Sequence, residues 1–100
     1  MIENINRRVA ADNFLISKHA EKQRNLRGQS IEHIKQVILF GEVIRTYPHE
    51  KPYPEYLFLG YIDNEPCYVV VASNKETVIV TVHNYDPDVY EPNHQTRRKK

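Results

Sequence analysis

In 100 residues the chain has no tryptophan, one methionine, one cysteine and three glycines. Cys67 stands alone, so an internal disulfide is impossible and nothing points to an oxidising compartment. Without a second cysteine there is no Cys-x-x-Cys pair. The five histidines, His19, His33, His49, His83 and His94, are dispersed, so neither a metal site nor a cofactor is expected. The longest apolar runs are about five residues, far short of the ~20 that span a bilayer. The opening "MIENINRRVA" has no apolar core of the kind a signal peptide needs. No P-loop, glycine-rich dinucleotide loop or serine nucleophile elbow is present. These absences leave a cytoplasmic protein with no membrane contact as the expectation.

Apolar residues make up 40% and charged residues 27%, which suits a globular chain with one compact core. The formal net charge of +1 hides an uneven distribution. Arg97, Arg98, Lys99 and Lys100 crowd the end and leave the body mildly acidic. Seven of the ten aromatics are tyrosines. They suit either base stacking or half-buried strand positions that keep the hydroxyl wet.

Residues 1–12 are polar without strong periodicity and read as a mobile segment, and residues 13–92 as a single domain. "NFLIS" is a short strand or a lead-in to the first helix. That helix covers 18–27, with Ser17 as N-cap and Gly28 as terminator. The second helix starts at its N-cap Ser30, repeats apolar residues at Ile31, Ile34, Val37 and Ile38, and stops at Gly41. Only three residues separate the helices, which predicts a tight αα-hairpin. Four strands follow. "EVIRTY" runs into the loop "PHEKPYP". "EYLFLGYI" turns at "DNEP", where Asp63 and Asn64 tolerate positive φ. "CYVVVAS" is continuously apolar, as a central strand covered on both faces should be. "TVIVTVH" alternates, with Val78, Val80 and Val82 on one face and Thr77, Ile79, Thr81 and His83 on the other. Beyond Tyr85 periodicity is lost, and residues 93–100 read as a flexible basic tail. The expected class is α+β: an N-terminal αα-hairpin packed on one face of a four-stranded antiparallel sheet, the other face free to bind.

The stretch "ISKHAEKQRNLRG" carries the main functional question. At 100° per residue and with His19 at 0°, Ile16 falls at about 60°, Ala20 at about 100° and Leu26 at about 340°. His19, Gln23 (about 40°) and Arg27 (about 80°) lie in that same inward arc, and Arg24 flanks it at about 140°. Lys18, Glu21, Lys22 and Asn25 form the solvated side. A buried arginine must be paired or wet. The stripe therefore either hydrogen-bonds to the sheet or borders a wet cleft, unless the helix is rotated from this estimate. Among other candidates, Cys67 reads as a buried, inert thiol with no activating neighbour. His33 reads as exposed and His49 as a plain loop histidine. His83 shares a strand face with Thr81, and Tyr85 follows. They form either a solvated strand end or a site that meets the helix stripe.

Taken together, "SKHAEKQRNLRG", "GEVIRTYP", "LFLGYIDNEPCYVVVA" and "VIVTVHNYDPDVYEP" resemble the small bacterial domain-of-unknown-function family four-two-five-eight, over roughly residues 14–92. The chain departs from that pattern at Gln23, where the family usually has arginine, at Gln29, where it often has isoleucine, and around His83, near a frequent tyrosine. The family looks related to the RelE and BrnT group of toxin ribonucleases. That resemblance implies a RelE-like fold, RNA as substrate and a small antitoxin-like protein as partner. It points to metal-independent cleavage in which the RNA 2′-OH attacks the neighbouring phosphate. His19 or His83 would move protons, Arg27 with Arg24 would stabilise the charged transition state, and Tyr85 would orient a base or share proton transfer. Gln23, Arg24 and Lys18 complete the candidate binding set. The alternative is a non-catalytic interaction module held by a structural His19–Arg27 network.

Overall fold

The computed structural model describes residues 2–97. Three helices and five strands follow in the order α1 (Ile2–Ala10), β1 (Leu15–Ile16), α2 (Lys18–Leu26), α3 (Ile31–Phe40), β2 (Glu42–Tyr47), β3 (Glu55–Ile62), β4 (Glu65–Ser73) and β5 (Thr77–Asn84). The sheet order is β1-β5-β4-β3-β2. Strands β2 to β5 form the expected antiparallel meander, but β1 adds a fifth strand, parallel to β5 through Leu15↔Val78 and Ile16↔Ile79. The sheet is therefore mixed, a correction to the four-stranded antiparallel expectation. β4 is central and nearly wholly buried, as its apolar run predicts.

The N-terminal segment is the largest correction. Residues expected to be mobile form α1, and Ile5 and Val9 are fully buried. Ile2, Ile5 and Val9 follow helical spacing at i, i+3 and i+7, a short signal among the polar residues that surround it. Polar contacts hold the helix as well. Arg8 Nη1 donates to Asn74 O (2.9 Å) and Thr77 Oγ1 (3.2 Å) at the β4–β5 turn. Just after α1, Asp12 receives Lys35 Nζ of α3 at 2.6 Å.

Both helix caps form as expected. Ser17 Oγ accepts from Ala20 N, Ser30 Oγ accepts from His33 N, and Gly28 adopts φ 66° to end the connection after α2. His33 is half-buried rather than exposed, because its Nδ1 accepts from Ser30 N in a reciprocal cap. The expected αα-hairpin does not form as a packed pair. α2 runs along β5, whereas α3 lies on β3 and β4 and against α1. Gly60 on β3 is what lets α3 approach so closely: a Cβ there would stand 2.8 Å from Val37 Cα.

The helix-side core joins Ile5, Val9, Ala20, Ile34, Val37 and Ile38 to Phe58, Val69, Val71, Ile79 and Val82. Ile79 and Val82 share this face although their spacing is odd. The β4–β5 register shifts between Val70 and Val71, so Val80 has no partner opposite it and the alternation inverts there. This corrects the even split expected for "TVIVTVH". Thr81 and His83 are left on the opposite face, with Leu57, Leu59, Tyr68 and Val70.

Each fully buried large apolar side chain contributes about 1.5–3 kcal/mol. Ile5→Ala should therefore cost about 2–5 kcal/mol in urea denaturation. A loss below about 0.5 kcal/mol, typical of surface positions, would show that α1 is not part of the core.

Candidate functional site

Strand β1 ends after two residues, and β5 continues as an edge whose outward backbone groups need partners. Helix α2 supplies them. Ser17 N donates to Ile79 O (2.9 Å), and Ser17 Oγ donates to Val80 O (2.8 Å). Further along the helix, Gln23 Oε1 accepts from Val82 N (2.8 Å) and Arg27 Nη1 donates to Val82 O (3.0 Å). Two side chains thus satisfy both backbone groups of one strand residue, as a neighbouring strand would.

The polar stripe is therefore partly as expected and partly rotated. Ala20, Gln23 and Arg27 face β5, but His19 and Lys18 are exposed and Leu26 is 78% exposed. The wheel placed its centre wrongly by weighting Leu26 as an inward residue. No His19–Arg27 network forms. Arg24 turns elsewhere. It makes a two-pronged pair with Glu21 (2.9 and 2.7 Å) and donates to Gln29 O (3.1 Å), which fixes the α2–α3 connection.

The sheet face expected to be free is half covered. After β5 the chain turns at Asp86, whose carbonyl accepts from Val89 N and Tyr90 N (both 2.9 Å), and returns across that face. Rings hold it there. Tyr68 stacks on both His83 (centroids 4.9 Å apart, planes 3°) and Tyr90 (4.4 Å, 14°), and His83 and Tyr90 stand 6.3 Å apart, so the three rings form one cluster. Tyr68 OH donates to His94 O at 2.5 Å. Tyr85 OH donates to the carbonyls of Tyr90 (3.3 Å) and Glu91 (3.4 Å), and its ring meets His94 edge-on at 4.6 Å. So residues 93–97, expected as the start of a flexible tail, are docked, with Tyr90 and Arg97 joined by a backbone bridge. Arg98, Lys99 and Lys100 lie outside the described residues.

Between this returning segment, β5 and the end of α2 lies an open cleft of about 630 Å³. Arg27, His83, Tyr85, Tyr90, Glu55 and Arg97 line it. His83 Nε2 faces Tyr90 OH at 3.4 Å. Burial, then the positive charges of Arg27 and Arg97, hold the imidazole below its ordinary pKa of 6.5, against a smaller opposite pull from Asp86. His83 is therefore mostly neutral near pH 7. Burial raises the Tyr90 phenol, although Arg97 and Arg45 counteract it. Burial and the nearby Glu50 raise the Glu55 carboxyl. Cys67 is pushed up to about 11 by burial and is an inert thiol, as expected.

Of the residues expected from sequence, Arg27, His83 and Tyr85 meet at the cleft, and Gln23 braces its wall. His19, Lys18 and Arg24 do not line it. Tyr90, Arg97 and Glu55 were missed. Glu55 sits two residues before Leu57 on a strand of known alternation, so its face was readable. Tyr90 and Arg97 depend on the chain reversal at Asp86, for which "DPD" was the only signal. Among the described residues, no three His, Cys, Asp or Glu side chains are grouped to hold a metal ion, and no helix is long and apolar enough to cross a membrane.

The architecture is that of a small α+β domain with an aromatic cleft of mixed charge on one sheet face, Arg27 and Arg97 beside Glu50, Glu55 and Asp86. The chain belongs to the family described as Domain of unknown function (DUF4258), whose model matches residues 16–83. That span holds Gln23, Arg27 and His83, while Tyr90 and Arg97 lie beyond it. No curated protein and no solved structure matches the chain.

Gln23→Leu orphans the Val82 N–H and should cost about 1–3 kcal/mol in denaturation, whereas His19→Ala should stay within about 0.5 kcal/mol of wild type. Equal losses for the two variants would contradict the edge-capping role. His83 also sets a pH signature. Its folded pKa is depressed, so just below pH 6.5 the unfolded chain binds more protons than the folded one, and stability falls as pH falls through that value. In His83→Gln this component should vanish from the melting-against-pH profile; an unchanged acid limb would refute it.

Proposed function

We propose that the cleft binds single-stranded RNA and cleaves it without a metal, as a toxin-like endoribonuclease akin to the RelE and BrnT group. The observation that carries this reading is the convergence of a neutral, desolvated imidazole, His83, with the Arg27 guanidinium in one open cleft. The first group is suited to take a proton and the second to hold a phosphate.

In the proposed step a 2′-hydroxyl gives its proton to His83 Nε2 as its oxygen forms a bond to the adjacent phosphorus. The phosphorus–O5′ bond breaks, and the leaving oxygen takes the phenolic proton of Tyr90. The imidazolium then returns a proton to the phenolate across the 3.4 Å that separates them. Arg27 and Arg97 stabilise the charge that builds on the phosphoryl oxygens. Tyr85 acts through Tyr90, by pinning the carbonyls of Tyr90 and Glu91. His19, on the exposed side of α2, has no part in this step. The expected small antitoxin-like partner would act by covering the same cleft.

A non-catalytic interaction module is the second reading. It is favoured by the exposure of Phe40 (83%) and Leu26 (78%), large apolar side chains that suit a protein contact.

The test is cleavage of an unstructured RNA by the full chain. Products should end in 2′,3′-cyclic phosphate. His83→Ala should slow cleavage about 10²–10⁴-fold and Arg27→Ala about 10²–10³-fold, with His19→Ala unchanged. Intact RNA under wild type, or equal rates for wild type and folded His83→Ala, would sink the proposal.

A further inference from the structure

A second cavity, of about 680 Å³, lies on the other side of Arg27. Arg27, Asn84 and Tyr85 line both spaces, so a strand whose phosphate sits at Arg27 has its next nucleotide beside this cavity. Like the cleft it sets carboxylates beside Arg27, but it is richer in side-chain amides. It brings together the amides of Gln29, Asn64 and Asn84 and the carboxylates of Asp63 and Glu65. Amides and carboxylates together offer donors and acceptors to the edge of a base.

Gln29 carries the inference. Its Oε1 is buried and has no hydrogen-bond partner. Its Nε2 makes only long contacts, 3.4 Å to Asn84 Oδ1 and 3.8 Å to Cys67 Sγ. A half-satisfied amide is costly, and rotation about its terminal torsion offers both a donor and an acceptor to a ligand. The donor–acceptor pair that a glutamine amide completes on a base edge is adenine N6 and N7. Next to it, the Tyr85 ring and the His94 imidazole offer stacking surfaces at the cavity wall.

Resting on the RNA reading above, we propose that this cavity is an adenine subsite next to the phosphate held by Arg27, and that Gln29 reads the base. The subsite makes the chain selective for one nucleotide flanking the reacting phosphate. Uracil, which presents no amino group, is disfavoured by the same acceptors.

The probe is a set of short 2′-O-methyl oligonucleotides of A, C or U, which lack the attacking hydroxyl and stay intact. They are titrated onto the full chain by fluorescence anisotropy. The A oligonucleotide should bind about tenfold more tightly than the U oligonucleotide. Gln29→Leu should abolish that preference without weakening U. Gln29→Glu, which keeps the shape and turns the amide into an acceptor, should shift preference toward C. Arg27→Ala should weaken all three alike. If A binds no better than U, or if both Gln29 variants melt like wild type and keep the wild-type preference, the subsite is refuted while RNA binding stands. If no oligonucleotide binds, the RNA reading and the subsite fall together.

Discussion

Val82 turns its N–H and C=O outward at a sheet edge that β1 is too short to cover, and Gln23 and Arg27 answer both groups. Much of the cleft's geometry follows from this arrangement. It sets the rotation of α2 about its own axis, which buries Ala20 and leaves His19 outside. It also ties the Arg27 guanidinium to the sheet, near enough to His83 to help depress its pKa. An arginine on a free helix end would be a mobile, hydrated charge. Tied to a strand carbonyl, it is held in place, and a held cation has less freedom left to lose on binding any anion.

The opposite wall is made by rings rather than by backbone. Tyr68 is the centre of that wall, stacked on both His83 and Tyr90, with its hydroxyl on His94 O. This stack gives His83 two roles at once. It packs the returning segment against the sheet, and the same packing strips it of water and lowers its affinity for a proton. Structural and chemical roles are not alternatives here, because the burial that makes His83 a packing residue is what keeps its imidazole neutral.

Much of the frame was legible in the sequence because it rests on local rules. Ser17 and Ser30 cap, Gly28 takes positive φ, Asp63 and Asn64 turn, and β4 is apolar because helices cover one side and the chain end the other. What was not legible depends on long-range geometry. The helical character of 2–10 rests on two apolar residues whose partners lie in α3 and β5. The unpaired Val80 inverts the faces of β5, and no pattern within "TVIVTVH" marks it. In the site, Arg27 was recognisable as a charge out of place on an apolar helix face, and His83 as a histidine beside Thr81 at a strand end. Tyr90 and Arg97 were not, because their positions depend on a chain reversal and a ring stack formed with residues some 20 positions upstream.

Gln23 shows how far the edge constraint reaches. The resemblance read from the sequence implies an arginine there, so that Gln23 stands in place of an expected cation. The geometry gives the substitution a different meaning. The group opposite position 23 is the N–H of Val82, a donor, and it needs an acceptor at 2.8 Å. A guanidinium has five donors and no acceptor. An arginine at this position therefore cannot make the bond. It would have to turn away, toward solvent or the cleft, and leave the N–H to water. Glutamine makes the opposite choice: it closes the edge and leaves the cleft with Arg27 as its cation on this side. The edge needs an acceptor at position 23 and a donor one turn later, and Gln23 and Arg27 supply one each, the Arg27 side chain also lining the cleft.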